Sequence, residues 1–207
     1  STKDNVAVIK FVLARDPSIR EATDSYVDDI IVDLNRVSSQ QVLSVLESFG
    51  LLAKPAEKLC GGRVLGLRIY EENGVTRWKR DNVIQEVSAE STKREIFSWC
   101  EQVTGHFPIA GWLRPACSFL KRMVSERKWD EKIDKTSMNS LNYITKRLDA
   151  HEPVGGVWDI PKTKKGRVWC DASSLAIGVC LELNHSIVED YCWLRKKDDI
   201  CHINLAN

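Results

Sequence analysis

Asp28 and Asp29 are adjacent carboxylates within Ala22-Thr23-Asp24-Ser25-Tyr26-Val27-Asp28-Asp29-Ile30-Ile31-Val32-Asp33. Their flanks are apolar and β-branched, the composition of a hairpin. If the pair occupies the turn, both carboxylates lean toward one point, whereas mid-strand neighbours would face opposite sides. Such a pair suits Mg²⁺, which takes one or two carboxylates together with substrate phosphates. The chemistry implied is metal-assisted phosphoryl or nucleotidyl transfer. Asp-Asp is also ordinary turn punctuation, and the chain has a second one, Asp198-Asp199 after Lys196-Lys197. Taken alone, the pair leaves both readings open.

The elements that must position it can be read from periodicity and caps. Val6 to Leu13 reads as an apolar helix ending near Asp16-Pro17, and the hairpin follows. Ser38-x-x-Gln41 is a capping box for a helix carrying Val42, Leu43, Val45, Leu46 and Phe49, stopped by Gly50. Val64 to Tyr70 alternates like one strand, and Asn73-Gly74 turns it into Val75–Arg80. Thr92-x-x-Glu95 caps a helix ending at Gly105, with further helices over about 113–124 and 133–148. The last of these has Met138, Leu141, Ile144 and Leu148 along one stripe. Gly155-Gly156 through the lysine-rich turn at 162–166 reads as a linker, followed by strands at 167–170, 176–183 and 187–194.

Composition sets the outer limits. At 207 residues the chain is long enough for one large domain or two small ones. A hydrophobic content of 43% with 29% charged residues describes a globular chain rather than a disordered one. No apolar run approaches the roughly 20 residues of a membrane span, so an intracellular chain without membrane contact is expected. Seven cysteines without a Cys-x-x-Cys fit buried, reduced thiols better than a disulfide frame or a zinc site. A net charge of +1 carries no global nucleic-acid signature. Cations do gather around tryptophans, at Arg77-Trp78-Lys79-Arg80 and Arg127-Lys128-Trp129, where they either grip phosphates and stack bases or simply solvate turns.

Tyr26-Val27-Asp28-Asp29 followed by Ile30-Ile31-Val32 resembles the catalytic hairpin of a retroelement reverse transcriptase. The order of segments extends the resemblance over the whole chain, to an internal piece of a gypsy-like LTR-retrotransposon Pol polyprotein. Phe49-Gly50-Leu51-Leu52-Ala53-Lys54-Pro55 through Glu57-Lys58 resembles the next palm block, with Lys58 near the incoming nucleotide. Val64-Leu65-Gly66 resembles the hairpin that holds the primer terminus. The helices from Thr92 resemble the thumb and connection. Trp169-Cys170-Asp171-Ala172-Ser173 with Ala176-Ile177-Gly178 resembles the first hairpin of an RNase H-type domain.

The resemblance implies an α+β fold in three parts. These are the C-terminal part of a palm over 1–81, a helical thumb and connection over 82–154, and an incomplete RNase H-like segment over 155–207. It implies Mg²⁺ or Mn²⁺ at Asp28 and Asp29, and at Asp171 in the RNase H-like part. Lys58 would assist near the phosphates. Tyr26 would pack the hairpin and, with Val27, Leu65 and Gly66, line the RNA or DNA template-primer that is extended with dNTPs. The family also uses an upstream carboxylate and a nucleotide pocket, and a glutamate where this chain has Asn207. Only 25 residues precede Tyr26, and Asp24 lies about 13 Å before Asp28 along an extended strand. The isolated chain is therefore expected to be inactive and to self-associate through an open sheet edge or recruit missing palm segments. The alternative is a retrotransposon remnant that binds nucleic acid without catalysis.

Overall fold

A computed structural model of the chain describes residues 2–26, 29–159 and 165–196. The described residues form an α+β fold of helices and antiparallel sheets, in two compact units, Ser1–Gly66 and Leu67–Asn207. Among the described residues no helix is long and apolar enough to cross a membrane.

The first unit opens with α1 (Thr2–Leu13) and α2 (Pro17–Ala22). The Asp16-Pro17 pair, expected only to end a helix, also begins one. The Asp16 carboxylate accepts the backbone N–H groups of Ser18 at 2.8 Å and Ile19 at 3.4 Å. Proline costs nothing in a first helical turn, where its missing N–H would have had no partner. Strands β1 (Thr23–Tyr26) and β2 (Asp29–Val32) follow, and then α3 (Ser39–Ser48). The Ser38–Gln41 capping box is present in full, and Gly50 leaves the helix at φ 74°. Val12, Leu13, Ile19, Ala22, Val37, Val42 and Leu46 make the core of this unit.

Val64 to Tyr70 is not one strand. It breaks after the short β3 (Arg63–Val64) at Leu65 and Gly66, whose φ values are 54° and 76°. Two consecutive positive φ angles are what a tight primed turn requires, and the alternation of side chains gave no sign of it.

In the second unit, β4 (Leu67–Glu72) and β5 (Val75–Arg80) pair antiparallel across Asn73-Gly74, where both residues have positive φ as that dipeptide predicts. Three helices follow, α4 (Lys93–Thr104), α5 (Leu113–Met123) and α6 (Lys135–Ala150). Ile96, Trp99, Cys100 and Val103 recur at helical spacing on α4 and are buried, as are Leu113, Cys117 and Leu120 on α5. Gly155-Gly156 is not a linker but part of β6 (Gly155–Val157), which pairs with β5 through Gly156↔Trp78. A Cβ at Gly156 would stand 2.9 Å from Ile109 and 3.0 Å from the Trp78 ring, so the glycine is there for close packing rather than flexibility. The last described strands form a meander, β7 (Gly166–Ala172), β8 (Ala176–Leu183) and β9 (Ser186–Leu194).

Two buried cations tie this unit together. The Arg80 guanidinium binds the Glu152 carboxylate with two nitrogens, at 3.0 and 2.7 Å, and donates to the Gln102 carbonyl. Its side chain is only 4% exposed, so the Arg77–Arg80 cluster is in part an interior feature. Lys93 donates to the carbonyls of Ser125 at 2.6 Å and Arg127 at 2.9 Å, ending the turn after α5.

Candidate functional site

The β1–β2 hairpin has two unlike faces because side chains alternate along a strand. Its register is Thr23↔Val32, Asp24↔Ile31, Ser25↔Ile30 and Tyr26↔Asp29. Ile30 and Val32 pack on the core of the first unit, which places Thr23 and Ser25 on that same inner face. Asp24, Tyr26, Asp29 and Ile31 share the outer face, and the first three are exposed. The base is closed by the Asp33 N–H donating to the Ala22 carbonyl at 2.8 Å. The Thr23 hydroxyl donates to Ile19 at 2.8 Å, fixing the angle between α2 and β1.

Asp29 is thus the first residue of a strand, directly opposite Tyr26. Val27 and Asp28 lie outside the described residues. Tyr26 does not pack the hairpin as expected; it is 58% exposed and stands beside Asp29 on the open face. The hairpin also folds Asp24 back toward Asp29, since residues offset by two on neighbouring strands lie about 7–8 Å apart. Among the described residues, no three His, Cys, Asp or Glu side chains converge enough to hold a metal. The donors here are carboxylates alone, since no histidine occurs before His106. Asp24 and Asp29 on one face, with Asp28 next in sequence, have the oxygen chemistry of a hard cation such as Mg²⁺.

The other predicted residues are scattered. Lys58 is exposed, in a stretch after α3 without regular structure. Leu65 and Gly66 form the turn described above, and a Cβ on Gly66 would meet nothing within 4 Å. Asp171 lies exposed on β7 in the second unit, opposite Gly178. Asn207 and Cys201 lie outside the described residues.

Sequence reasoning passed over a second polar site. The Asp190 carboxylate on β9 accepts from the backbone N–H of Gly111 at 2.6 Å and of Ala110 at 3.2 Å, and from Arg114. Arg114 also donates to the Phe107 carbonyl and lies 5.4 Å from the Tyr191 ring centre. The only signal in the sequence was a carboxylate at an inward position of an alternating strand.

The helical part also carries an aromatic and cationic surface. Phe97 and Trp129 meet edge to face at 5.2 Å, with Lys93 4.8 Å and Arg94 5.8 Å from the Trp129 ring. Trp129 is 48% exposed. Arg94 is paired with Asp130 at 3.1 Å, and Lys121 with Glu101, so local charge is largely balanced.

Residues 92–150 match the model of a domain of unknown function (DUF7047). Its bounds coincide with structure, from the Thr92 N-cap of α4 to Ala150, the last residue of α6. The segment closes on itself, because Lys93 and Arg94 donate their N–H groups to the carbonyls of Glu131 and Trp129. Ile133 donates to Ser91 in the same way. No curated protein matches the chain.

Proposed function

We propose that the chain is part of a retroelement RNA-directed DNA polymerase. It would carry the end of the palm, the helical thumb and connection, and the opening strands of an RNase H-like domain. The observation that carries this reading is the β1–β2 hairpin. Its register places Asp29 opposite Tyr26 on an open face, with Asp28 adjoining and the other face held by the core. A catalytic hairpin needs that division, one side anchored and the other presented to substrate.

Asp28 and Asp29 would hold Mg²⁺, which when bound neutralises charge on a nucleotide triphosphate. The exposed Tyr26 would lie against the nucleic-acid strand beside the carboxylates. The open side of Gly66 lets backbone approach the primer, since no Cβ stands in the way. Lys58, exposed, would supply a cation to the phosphates.

Primer extension by the longer reading frame that contains this chain tests the proposal. Asp28→Asn should abolish Mg²⁺-dependent incorporation, while normal extension by that variant would remove Asp28 from the metal site.

The half-exposed Trp129 between Arg94 and Lys93 favours a second reading, a chain that binds nucleic acid without catalysis. It predicts affinity for an RNA–DNA hybrid that falls steeply with salt and with Trp129→Ala, and no nucleotide incorporation. Affinity indifferent to both changes would count against it.

A further inference from the structure

The run Arg77-Trp78-Lys79-Arg80 divides between the two faces of its sheet. Trp78 and Arg80 on β5 turn to the interior with Leu67 and Ile69 on β4. Side chains alternate along a strand, so Arg77 and Lys79 lie on the opposite face with Arg68 and Tyr70. Three cations therefore share the outer surface of β4 and β5 with one aromatic ring.

Their register is not one that folding stability would select. Lys79 stands directly across from Arg68, and like charges in facing positions destabilise a sheet. Arg68 reaches Asp81 at 3.8 Å, and Arg77, across from Tyr70, has Glu72 as its ion-pair partner. Lys79 has no carboxylate partner among the described residues. Its ammonium lies over the Tyr70 ring, 5.4 Å from the ring centre. On its other side Lys79 faces Gly155 of β6, which places no side chain beside it. Surplus positive charge and open space thus coincide at Lys79.

We propose that this face grips the phosphate backbone of a nucleic acid, with a phosphate between Lys79 and Arg68 and a sugar or base against Tyr70. A phosphate there turns one repulsive pair into two attractive, charge-assisted contacts. The ring among the cations favours a nucleic acid over an acidic peptide or a free phosphate. A base or sugar can lie against it while the adjoining backbone meets the charges. The inference deepens the nucleic-acid reading of the chain and rests on it.

Fluorescence anisotropy of a labelled RNA–DNA hybrid, titrated with the chain over a range of salt, tests this. Lys79→Gln should weaken binding about tenfold at low salt. It should also make the slope of log affinity against log salt shallower by about one, the loss of one phosphate contact. Lys135→Gln on α6 should do neither. Lys79→Glu should weaken binding further yet leave the urea unfolding midpoint unchanged or higher, since a carboxylate opposite Arg68 removes the repulsion. A purely structural role would instead move affinity and stability together. Four results would each overturn the inference alone: an unchanged slope for Lys79→Gln, an equal effect of Lys135→Gln, a clear fall in the Lys79→Glu midpoint, or equal competition by polyglutamate or inorganic phosphate. An unaltered chain without affinity for the hybrid would overturn the inference and the nucleic-acid-binding reading together.

Discussion

Arg114 and Asp190, 76 residues apart, form an ion pair whose side chains are only 11% and 14% exposed. It joins α5 to β9 at the point where Asp190 also receives two N–H groups from the turn before the helix. The pair therefore fixes both the helix start and the position of the terminal meander. A carboxylate that collects several N–H donors compensates its own desolvation, which a bare buried pair does not.

Removing one member should be costly. Asp190→Ala leaves the Arg114 guanidinium partly buried without its partner and should lower stability by about 2–4 kcal/mol. Urea unfolding midpoints of the parent and variant measure this. A double change with Arg114→Met should recover part of the loss, and its absence would mean that the backbone donors at Ala110 and Gly111 dominate.

Acid sensitivity should localise in part to Asp134. The Ser137 N–H and the Arg127 guanidinium hold its carboxyl down to about 2, against an ordinary value of 3.8. A depressed folded value stabilises the native state above the unfolded value, and the contribution is lost as pH falls from there through about 2. Asp134→Asn keeps a capping oxygen but has no charge to titrate. The parent should therefore be the more stable at neutral pH, with the difference in unfolding midpoint shrinking across that acid range. A difference constant with pH would exclude the titration of Asp134 as its source.

The local chemistry of the fold was legible, and the long-range part was not. Ser38 with Gln41, Thr92 with Glu95, and Asn73-Gly74 each specify their structure within four residues, and each appears as read. Leu65 in the left-handed region could not be read from the alternation, because leucine is a poor occupant of that conformation; only the likeness of Val64-Leu65-Gly66 to a hairpin hinted at a turn there. Gly155-Gly156 looked like punctuation because its partner Trp78 lies far back in the sequence. The same holds for the candidate sites. Tyr26 and Asp29 could be placed on a hairpin from their flanks, but their common exposed face follows only from register. The Arg114–Asp190 contact depends on packing that no periodicity contains.

Thiol reactivity should divide the cysteines by burial. Among the described residues Cys60 and Cys170 are exposed, while Cys100 and Cys117 are buried against one another. Hydrogen bonding with Cys100 and burial push the Cys117 thiol far up, so it carries no thiolate at neutral pH. Cys180 and Cys192 are also raised, chiefly by burial. Mass-resolved labelling should therefore modify Cys60 and Cys170 first, with Cys100 and Cys117 reacting only as the chain unfolds. Early modification of Cys117 would show that α4 and α5 separate readily.

Leu65→Gly tests whether the turn before β4 is strained. An L-residue side chain in the left-handed region costs roughly 1–2 kcal/mol, whereas glycine adopts it freely. The next residue is already Gly66 at φ 76°, so the turn itself would be preserved. Leu65 is partly exposed, and removing its side chain forfeits little buried area. The substitution should therefore raise stability by up to about 1 kcal/mol, after the entropy that glycine adds to the unfolded chain. Thermal unfolding resolves a change of that size. A loss of stability would instead show that the Leu65 side chain contributes packing worth more than the strain of its backbone, and that strain would then have no claim on function.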